Sequence, residues 1–324
     1  DKELKKAEFL FASMGYAWLV KIGTSITPKA IKAGLPVKGL IRNTIFTQFV
    51  GGETLEETAQ VAKKLGAFHV SVILDYGVEG GEEGEDGFDR AMEEFIRVID
   101  YAATQPNIPF MSIKVTGFSR FGLLEKLDSS VAGNTGSLMK RYAKAVETLT
   151  PEEKKEWERV QARMDTICKR AAEKKIGVLV DAEETWIQDP VDVLTILMME
   201  RYNKVKPVVY NTVQLYRHDR LSFLKDSLEA AELRDFILGA KLVRGAYMEK
   251  ERTRAAGMQY PSPIQPDKAA TDRDYDAGVS FCIEHLDKIA TIVASHNEQS
   301  NLLATRLLQE KGFPPDHPHI HFSQ

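Results

Sequence analysis

The feature that most constrains this chain is an alternation. Seven short β-branched, apolar runs are separated by stretches of helical periodicity. They are HVSVILDYGVE (69–79), IPFMSIKVTG (108–117), IGVLVDAEE (176–184), KPVVYNTVQLY (206–216), DFILGAKLVRGAYMEKE (Asp235–Glu251), IATIVASHN (289–297) and HIHFS (319–323). Strands that are apolar on both faces, with helices between them, imply a parallel sheet covered on both sides. Seven consecutive strand–helix repeats are long for an open sheet and close to a (β/α)8 barrel. The sequence therefore predicts an α/β fold, a TIM-like barrel whose eighth strand and helix are missing from this chain. Residues 69–324 would form the barrel, and residues 1–68 an N-terminal helical segment packed on it.

The intervening stretches carry helix signals. Residues 88–102, 119–175, 190–202, 219–234, 266–288 and 298–312 all read as helical. Thr27 is placed as an N-cap with Pro28 in the first helical position. Thr54 and Glu57 stand at capping-box spacing, as do Thr150 and Glu153, with Pro151 between them. The loop GGEEGEDG (80–87) follows the first strand.

Composition narrows the partners. A net charge of -4 argues against nucleic acid. Cys168 and Cys282 lie far apart with no CxxC, which reads as free thiols on helices in a reducing compartment. No signal peptide is visible, although the chain begins at Asp rather than Met and a removed targeting sequence stays open. The apolar run Phe9–Val20 is too short for a bilayer span of ~20 residues. It reads as a helix packed on the domain, with a membrane-surface helix as the second reading.

In a barrel of this kind the chemistry sits at the C-terminal ends of the strands. The unusual polar residues collect there: Asp75, Lys114, Asp181, Glu183, Gln214, Lys241, Arg244, His296 and Asn297. Side chains alternate along a strand, so Asp181 and Glu183 are expected on one face. Lys241 and Arg244 have opposite parity, which puts Arg244 in the loop past the strand, beside Gly245. A lysine inside an apolar strand is costly without a partner anion. Lys114, Lys241 and Arg244 converging on one mouth point to a bound anion, or to a group that becomes anionic during reaction. Each residue taken alone has a plainer reading as a loop, cap or pairing residue.

Several chemistries lack their signatures. There is no GxGxxG spacing, P-loop, HExxH or GxSxG. His319 and His321 read as a satisfied strand-end pair rather than metal ligands. The acidic loop Glu79–Asp86 does not match a calcium-binding loop. No metal site is expected.

The motifs ILDYGVE, SIKVTG, VDAEE, NTVQLY, KLVRGAY and ASHN occur in this order at successive strand ends. Together, over Phe46 to Gln324, they resemble the proline dehydrogenase family. That family consists of FAD-dependent (β/α)8 flavoenzymes that oxidise L-proline to Δ1-pyrroline-5-carboxylate. The KLVRGAY form and the long insert after the second strand look more like the monofunctional, mitochondrial-type branch. The resemblance implies that Lys114 lies against the flavin and meets the substrate carboxylate, with Tyr247 also contacting substrate. It implies Asp181 as the active-site carboxylate that orients neighbouring cations, water taking the amine proton. Ala182 would touch the cofactor, and Gln214 would hydrogen-bond the isoalloxazine. Lys241 stands near flavin N5, where many bacterial members have Arg; it keeps the charge and loses the planar fork. Arg244, Gly245 and Ala246 would cradle the ribityl-phosphate side, and Ser295, His296 and Asn297 the rest of the FAD.

By the same resemblance, a last barrel helix carries a tyrosine and two adjacent arginines that clamp substrate, and this chain ends before it. The expectation is weak FAD and weaker proline binding by these residues alone. Electrons would pass to a membrane quinone, through a peripheral membrane contact. The location would be cytoplasmic beside a bacterial inner membrane, or the matrix side in a mitochondrion. The alternatives are 4-hydroxyproline oxidation, a Schiff-base aldolase or lyase using Lys114 or Lys241, and a barrel that only binds a metabolite.

Overall fold

The apolar runs assemble into one seven-stranded parallel sheet in sequential order. The strands are β1 (Ile73–Asp75), β2 (Phe110–Ile113), β3 (Gly177–Val180), β4 (Val209–Gln214), β5 (Leu238–Val243), β6 (Ile289–Ala294) and β7 (Ile320–Ser323). The computed structural model describes residues 2–34, 36–46, 50–76 and 84–324. It divides into two compact units, Asp1–Ser71 and Val72–Gln324. The end of the first apolar run (77–79) and residues 80–83 of the following acidic loop lie outside the described residues.

Register and parity together define the inner face of the sheet. Phe110 pairs with Gly177, Leu179 with Tyr210, Thr212 with Lys241, and Ile292 with both Lys241 and His321. Phe110, Leu179, Tyr210, Ala290 and Ile292 form a buried cluster on that face, as the filled interior of a small barrel requires. Phe110 meets Tyr210 edge-on with ring centroids 5.6 Å apart. Phe110 also meets His321 of the last strand at 4.9 Å, so the sheet curls until β7 faces β2 across the interior. Gly177 makes room for that floor: a Cβ there would lie 2.3 Å from the Phe110 ring.

Helices of the second unit cover the outer face of the sheet. In chain order, the N-terminal unit holds α1 (Lys2–Met14), α2 (Ala17–Lys32), a short α3 (Lys38–Ile41) leading into a π-helical turn (Arg42–Phe46), and α4 (Leu55–Gly66). The second unit adds α5 (Glu85–Ala102), α6 (Phe121–Ala132), α7 (Leu138–Glu147), α8 (Pro151–Lys174) and α9 (Thr185–Tyr202). It continues with α10 (Arg220–Leu233), α11 (Met248–Met258), α12 (Lys268–Glu284) and α13 (Glu298–Glu310). The capping box of α8 forms: Glu153 N donates to Thr150 Oγ1 at 3.2 Å, and Thr150 N donates to Glu153 Oε2 at 2.8 Å. Such a cap contributes about 1 kcal/mol. Cys168 on α8 and Cys282 on α12 are buried free thiols. Burial pushes the Cys282 thiol up to about 12, so it is inert at neutral pH.

Some local expectations change. Pro28 lies inside α2 rather than opening a helix after Thr27, because the helical pattern from Ala17 runs on through it. At Thr54, Oγ1 accepts from Glu57 N, but Glu57 returns its carboxylate to Glu53 N and Arg42 instead of Thr54. The first strand starts late, since His69 takes a left-handed φ of 59° in the turn after α4. The 119–175 insert splits into three helices. Helix α11 occupies the end of what reads in sequence as the fifth apolar run. The Phe9–Val20 run is divided between α1 and α2. Among the described residues no helix is long and apolar enough to cross a membrane.

Candidate active site

A cavity of about 680 Å³ opens at the C-terminal rim of the sheet. The twelve residues assigned from the family resemblance line it: Lys114, Asp181, Ala182, Gln214, Lys241, Arg244, Gly245, Ala246, Tyr247, Ser295, His296 and Asn297. Parity explains the gathering. Lys114, Asp181, Gln214 and Lys241 continue the inward-facing positions that lower down hold Phe110, Leu179 and Tyr210. The lower layers are filled by carbon and the top layer is polar. Thr212, Val243, Lys268 and Ala294 also line the cavity. Sequence reading passed over Thr212, although it shares a face with Gln214 and sits opposite Lys241 in register.

The partner of Lys241 is Asp181, whose Oδ1 accepts from Lys241 Nζ in a direct ion pair. The two side chains are 13% and 19% exposed, so water screens the pair weakly. Arg244 proves far less available than the sequence suggests. Its Nε donates to Asp272 at 2.8 Å, and its two terminal nitrogens donate to Ser295 Oγ at 2.7 Å and Ser300 Oγ at 3.0 Å. Its guanidinium also lies 4.2 Å from the centre of the Tyr275 ring. Arg244 thus fixes the β6 end of the rim. Lys268 reaches the other oxygen of Asp272 at 2.5 Å. Among the described residues lining the cavity, Lys114, Lys241, Arg244 and Lys268 are cationic; Asp181 pairs with Lys241, and Asp272 with Arg244 and Lys268.

The loop after β5 is shaped by Gly245. Its φ of 138° is a conformation other residues rarely adopt, and a Cβ there would meet the Tyr216 ring at 2.5 Å. Tyr247 N donates to Tyr216 OH at 3.3 Å and N-caps α11. Across the rim, Asn297 caps α13: its Oδ1 accepts from Ser300 N at 3.2 Å, and its own N donates to Ser295 Oγ at 3.0 Å. The positive end of that helix faces the same side as Ser295 and His296.

Two polar groups are poised toward the cavity. Gln214 donates Nε2 to Glu183 O at 2.9 Å, which leaves its amide oxygen as the remaining acceptor. Thr212 Oγ1 is buried with no hydrogen-bond partner. Buried hydroxyls are rarely left unpaired.

Asp75 and Glu183 do not join this cavity. Asp75 ends β1 at an exposed position. Glu183 does not share a strand face with Asp181, because β3 ends at Val180 and the chain turns before α9. It lines a neighbouring cavity of about 740 Å³ with Thr116 and Ser119, and Tyr247 borders both spaces. Thr116 Oγ1 donates to Glu183 Oε2 at 2.6 Å and Thr116 N to Oε1 at 3.3 Å. Burial outweighs those bonds and pushes the Glu183 carboxyl up to about 7. Behind the turn, Glu183 N donates to Gln188 Oε1 at 2.8 Å, and Gln188 donates to Asp192 at 2.8 Å. Asp192 also accepts from Asn211 and Arg220. This buried polar chain holds the β3 exit against α9.

Among the described residues there is no cluster of three or more potential metal ligands. His319 Nδ1 is 2.7 Å from Leu286 O, and His321 packs on Phe110.

The family model described as Proline dehydrogenase matches residues 58–324. Proline dehydrogenase 1, mitochondrial, of Dictyostelium discoideum is 32% identical over 323 residues, covering 90% of this chain and 56% of that protein. Carbapenem antibiotics biosynthesis protein CarD of Pectobacterium carotovorum subsp. carotovorum is 33% identical over 265 residues, covering 81% of this chain and 64% of that protein. Hydroxyproline dehydrogenase of Xenopus laevis is 28% identical over 302 residues, covering 88% and 65%. The chain thus spans between about half and two thirds of the length of these relatives. Proline utilization A of Bdellovibrio bacteriovorus, solved after inactivation by N-propargylglycine, superposes with a TM-score of 0.71. That structure is 18% identical, and the match covers 88% of this chain and 29% of that one, which shows a shared fold.

Proposed function

The chain belongs to the proline dehydrogenase family, and from that premise we propose that it oxidises L-proline to Δ1-pyrroline-5-carboxylate with FAD as cofactor. The observation that carries the reading is the rim itself. A paired Lys241–Asp181, further cationic side chains at Lys114, Arg244 and Lys268, and an unpartnered buried hydroxyl all meet in one cavity. The residues present fit a flavin. Thr212 Oγ1 lacks a partner, Gln214 offers an acceptor, and Gly245 and Ala246 line the cavity wall.

Gln214, Ala182 and Thr212 would hold the ring system. Gly245, Ala246 and the Ser295–Asn297 turn, with the positive end of α13, suit the phosphate-bearing part. FAD, when bound, supplies the acceptor for the hydride that leaves the carbon next to the proline nitrogen. The chain's own residues do the rest. Lys114 meets the substrate carboxylate and helps fix the ring carbon in place. Asp181 holds Lys241 in place, so that its ammonium stabilises negative charge developing in the cavity. Tyr247 closes the side toward the second cavity.

Electrons would then pass to a membrane quinone through transient lipid contact. The location follows the notion of a peripheral enzyme, on the matrix side in a mitochondrion or the cytoplasmic face of a bacterial inner membrane. The likeness to hydroxyproline dehydrogenase supports 4-hydroxyproline as a second substrate to compare.

The test is the visible spectrum of the purified protein before and after L-proline, with 4-hydroxyproline in parallel. A yellow protein that bleaches on adding L-proline supports the reading. A colourless protein that borohydride couples covalently to a carbonyl substrate would replace it with a Schiff-base lyase.

A further inference from the structure

Helix α9 begins at Thr185 immediately after the turn that carries Asp181 and Ala182. Its N-cap residue, Glu184, makes no side-chain capping bond. The helix is capped instead from another element. Glu251 of α11 accepts from Thr185 N at 2.7 Å with one carboxylate oxygen, and from Thr185 Oγ1 at 2.7 Å with the other. Glu251 is fully buried, at 0% exposure. A carboxylate at a helix N-terminus satisfies its unpaired amides and complements its dipole. Here both effects act between segments 66 residues apart.

The carboxylate lies one helical turn beyond Tyr247, and Glu251 N donates to Tyr247 O at 2.9 Å. The Glu251–Thr185 pair therefore joins the two limbs of the site: the turn bearing Asp181 and Ala182, and the turn bearing Gly245, Ala246 and Tyr247. Neighbouring contacts run the same way. Lys250 pairs with Glu184, and the Arg254 guanidinium stacks over Trp186 at 4.3 Å while its NH2 reaches Glu125 at 2.6 Å. Lys250 is 60% exposed, so its pair contributes little. The buried bidentate contact is the one that sets the spacing.

We propose that Glu251 is a positioning residue, which caps α9 from α11 and thereby fixes Tyr247 relative to Asp181. It touches neither substrate nor cofactor, and the proposal rests on reading the cavity as a proline and flavin site. Loss of the contact lets the two limbs separate, which weakens substrate binding more than it slows the bound substrate.

The experiment compares Glu251→Ala, Glu251→Gln, Thr185→Ala and the Glu251→Ala/Thr185→Ala double variant in the protein that carries this sequence. Two quantities are read: amide hydrogen exchange over residues 182–187 and 245–248, and KM and kcat for L-proline. Glu251→Ala is expected to speed exchange in both segments at least tenfold. It should raise KM roughly tenfold while kcat falls less than threefold. Glu251→Gln, which can still accept from Thr185 N and donate to Thr185 Oγ1, should return KM to within about threefold of the parent. Adding Thr185→Ala to Glu251→Ala should change either readout less than twofold, because the pair acts as one unit. Faster exchange confined to residues 245–248, or single effects that multiply in the double variant, would overturn the proposal. A parent protein that neither holds flavin nor oxidises proline would defeat the functional reading, and the exchange data alone would then decide the cap. Should Glu251→Ala fail to fold, the Glu251→Gln and Thr185→Ala comparisons carry the same exchange test.

Discussion

Replacing Glu183 by glutamine gives a stability change with a definite sign and pH window. Burial raises this carboxyl from the usual 4.5 to about 7, while the Thr116 bonds and Lys114 pull it down. The folded state therefore holds the proton more tightly than the unfolded chain. Linkage then requires that the stability the acid form contributes is complete below pH 4.5 and is lost as pH rises through about 7. Each pKa unit corresponds to ~1.4 kcal/mol, so the loss approaches ~3 kcal/mol at pH 8.5. Glutamine cannot ionise, and it can still accept from Thr116 N and donate to Thr116 Oγ1. The variant should match the parent near pH 5 and exceed it by up to ~3 kcal/mol at pH 8.5. For a unit of this size that is roughly 6 °C in melting temperature. Thermal melts of both proteins at half-unit steps from pH 5 to pH 8.5 measure the difference directly. Curves that stay parallel within 1 °C across the range would refute the burial argument. A variant less stable than the parent at high pH would show that the ionised carboxylate is needed.

Other consequences follow from single contacts. Asp181→Asn leaves the Lys241 ammonium without its counter-charge, and should cost roughly 3 kcal/mol by urea denaturation and at least a hundredfold in L-proline oxidation; Asp181→Glu tests whether charge alone suffices. Thr212→Val removes a hydroxyl that has no partner, so stability should hold or rise slightly, while flavin retained through gel filtration should fall. Gly245→Ala forces a Cβ into the Tyr216 ring at a strained φ, and should cost at least ~2 kcal/mol and reduce flavin content more than Ala246→Ser does.

Much of the architecture was legible because it is written in local periodicity. Each strand's apolar run and each helix's spacing are set within a dozen residues, and the capping box at Thr150 and Glu153 is complete in four. The site was legible for a related reason. A barrel turns strand parity into radial direction, so Lys114, Asp181, Gln214 and Lys241 had to share one interior once the strands lay side by side. What failed was either conformational or distant. Pro28 was misplaced because helix signals are symmetric with helix interiors when the surrounding pattern is strong. Helix α11 was hidden by an apolar run that ends in charged residues, Glu249 to Arg252. Asp181 and Glu183 alternate in sequence, yet the strand stops one residue before them and the turn sends them to different cavities.

Sequence alone thus determined the repeating strand–helix order, the inward positions and the family whose motifs stand at the strand ends, since all of these depend on neighbours along the chain. Only the tertiary structure decided which charges are spent. Arg244 is held by Asp272 and Ser300, Lys241 by Asp181, and the start of α9 by Glu251. Such pairs join residues between 28 and 66 positions apart. Their geometry depends on how far a curled sheet brings separate loops together, a distance that no local pattern encodes.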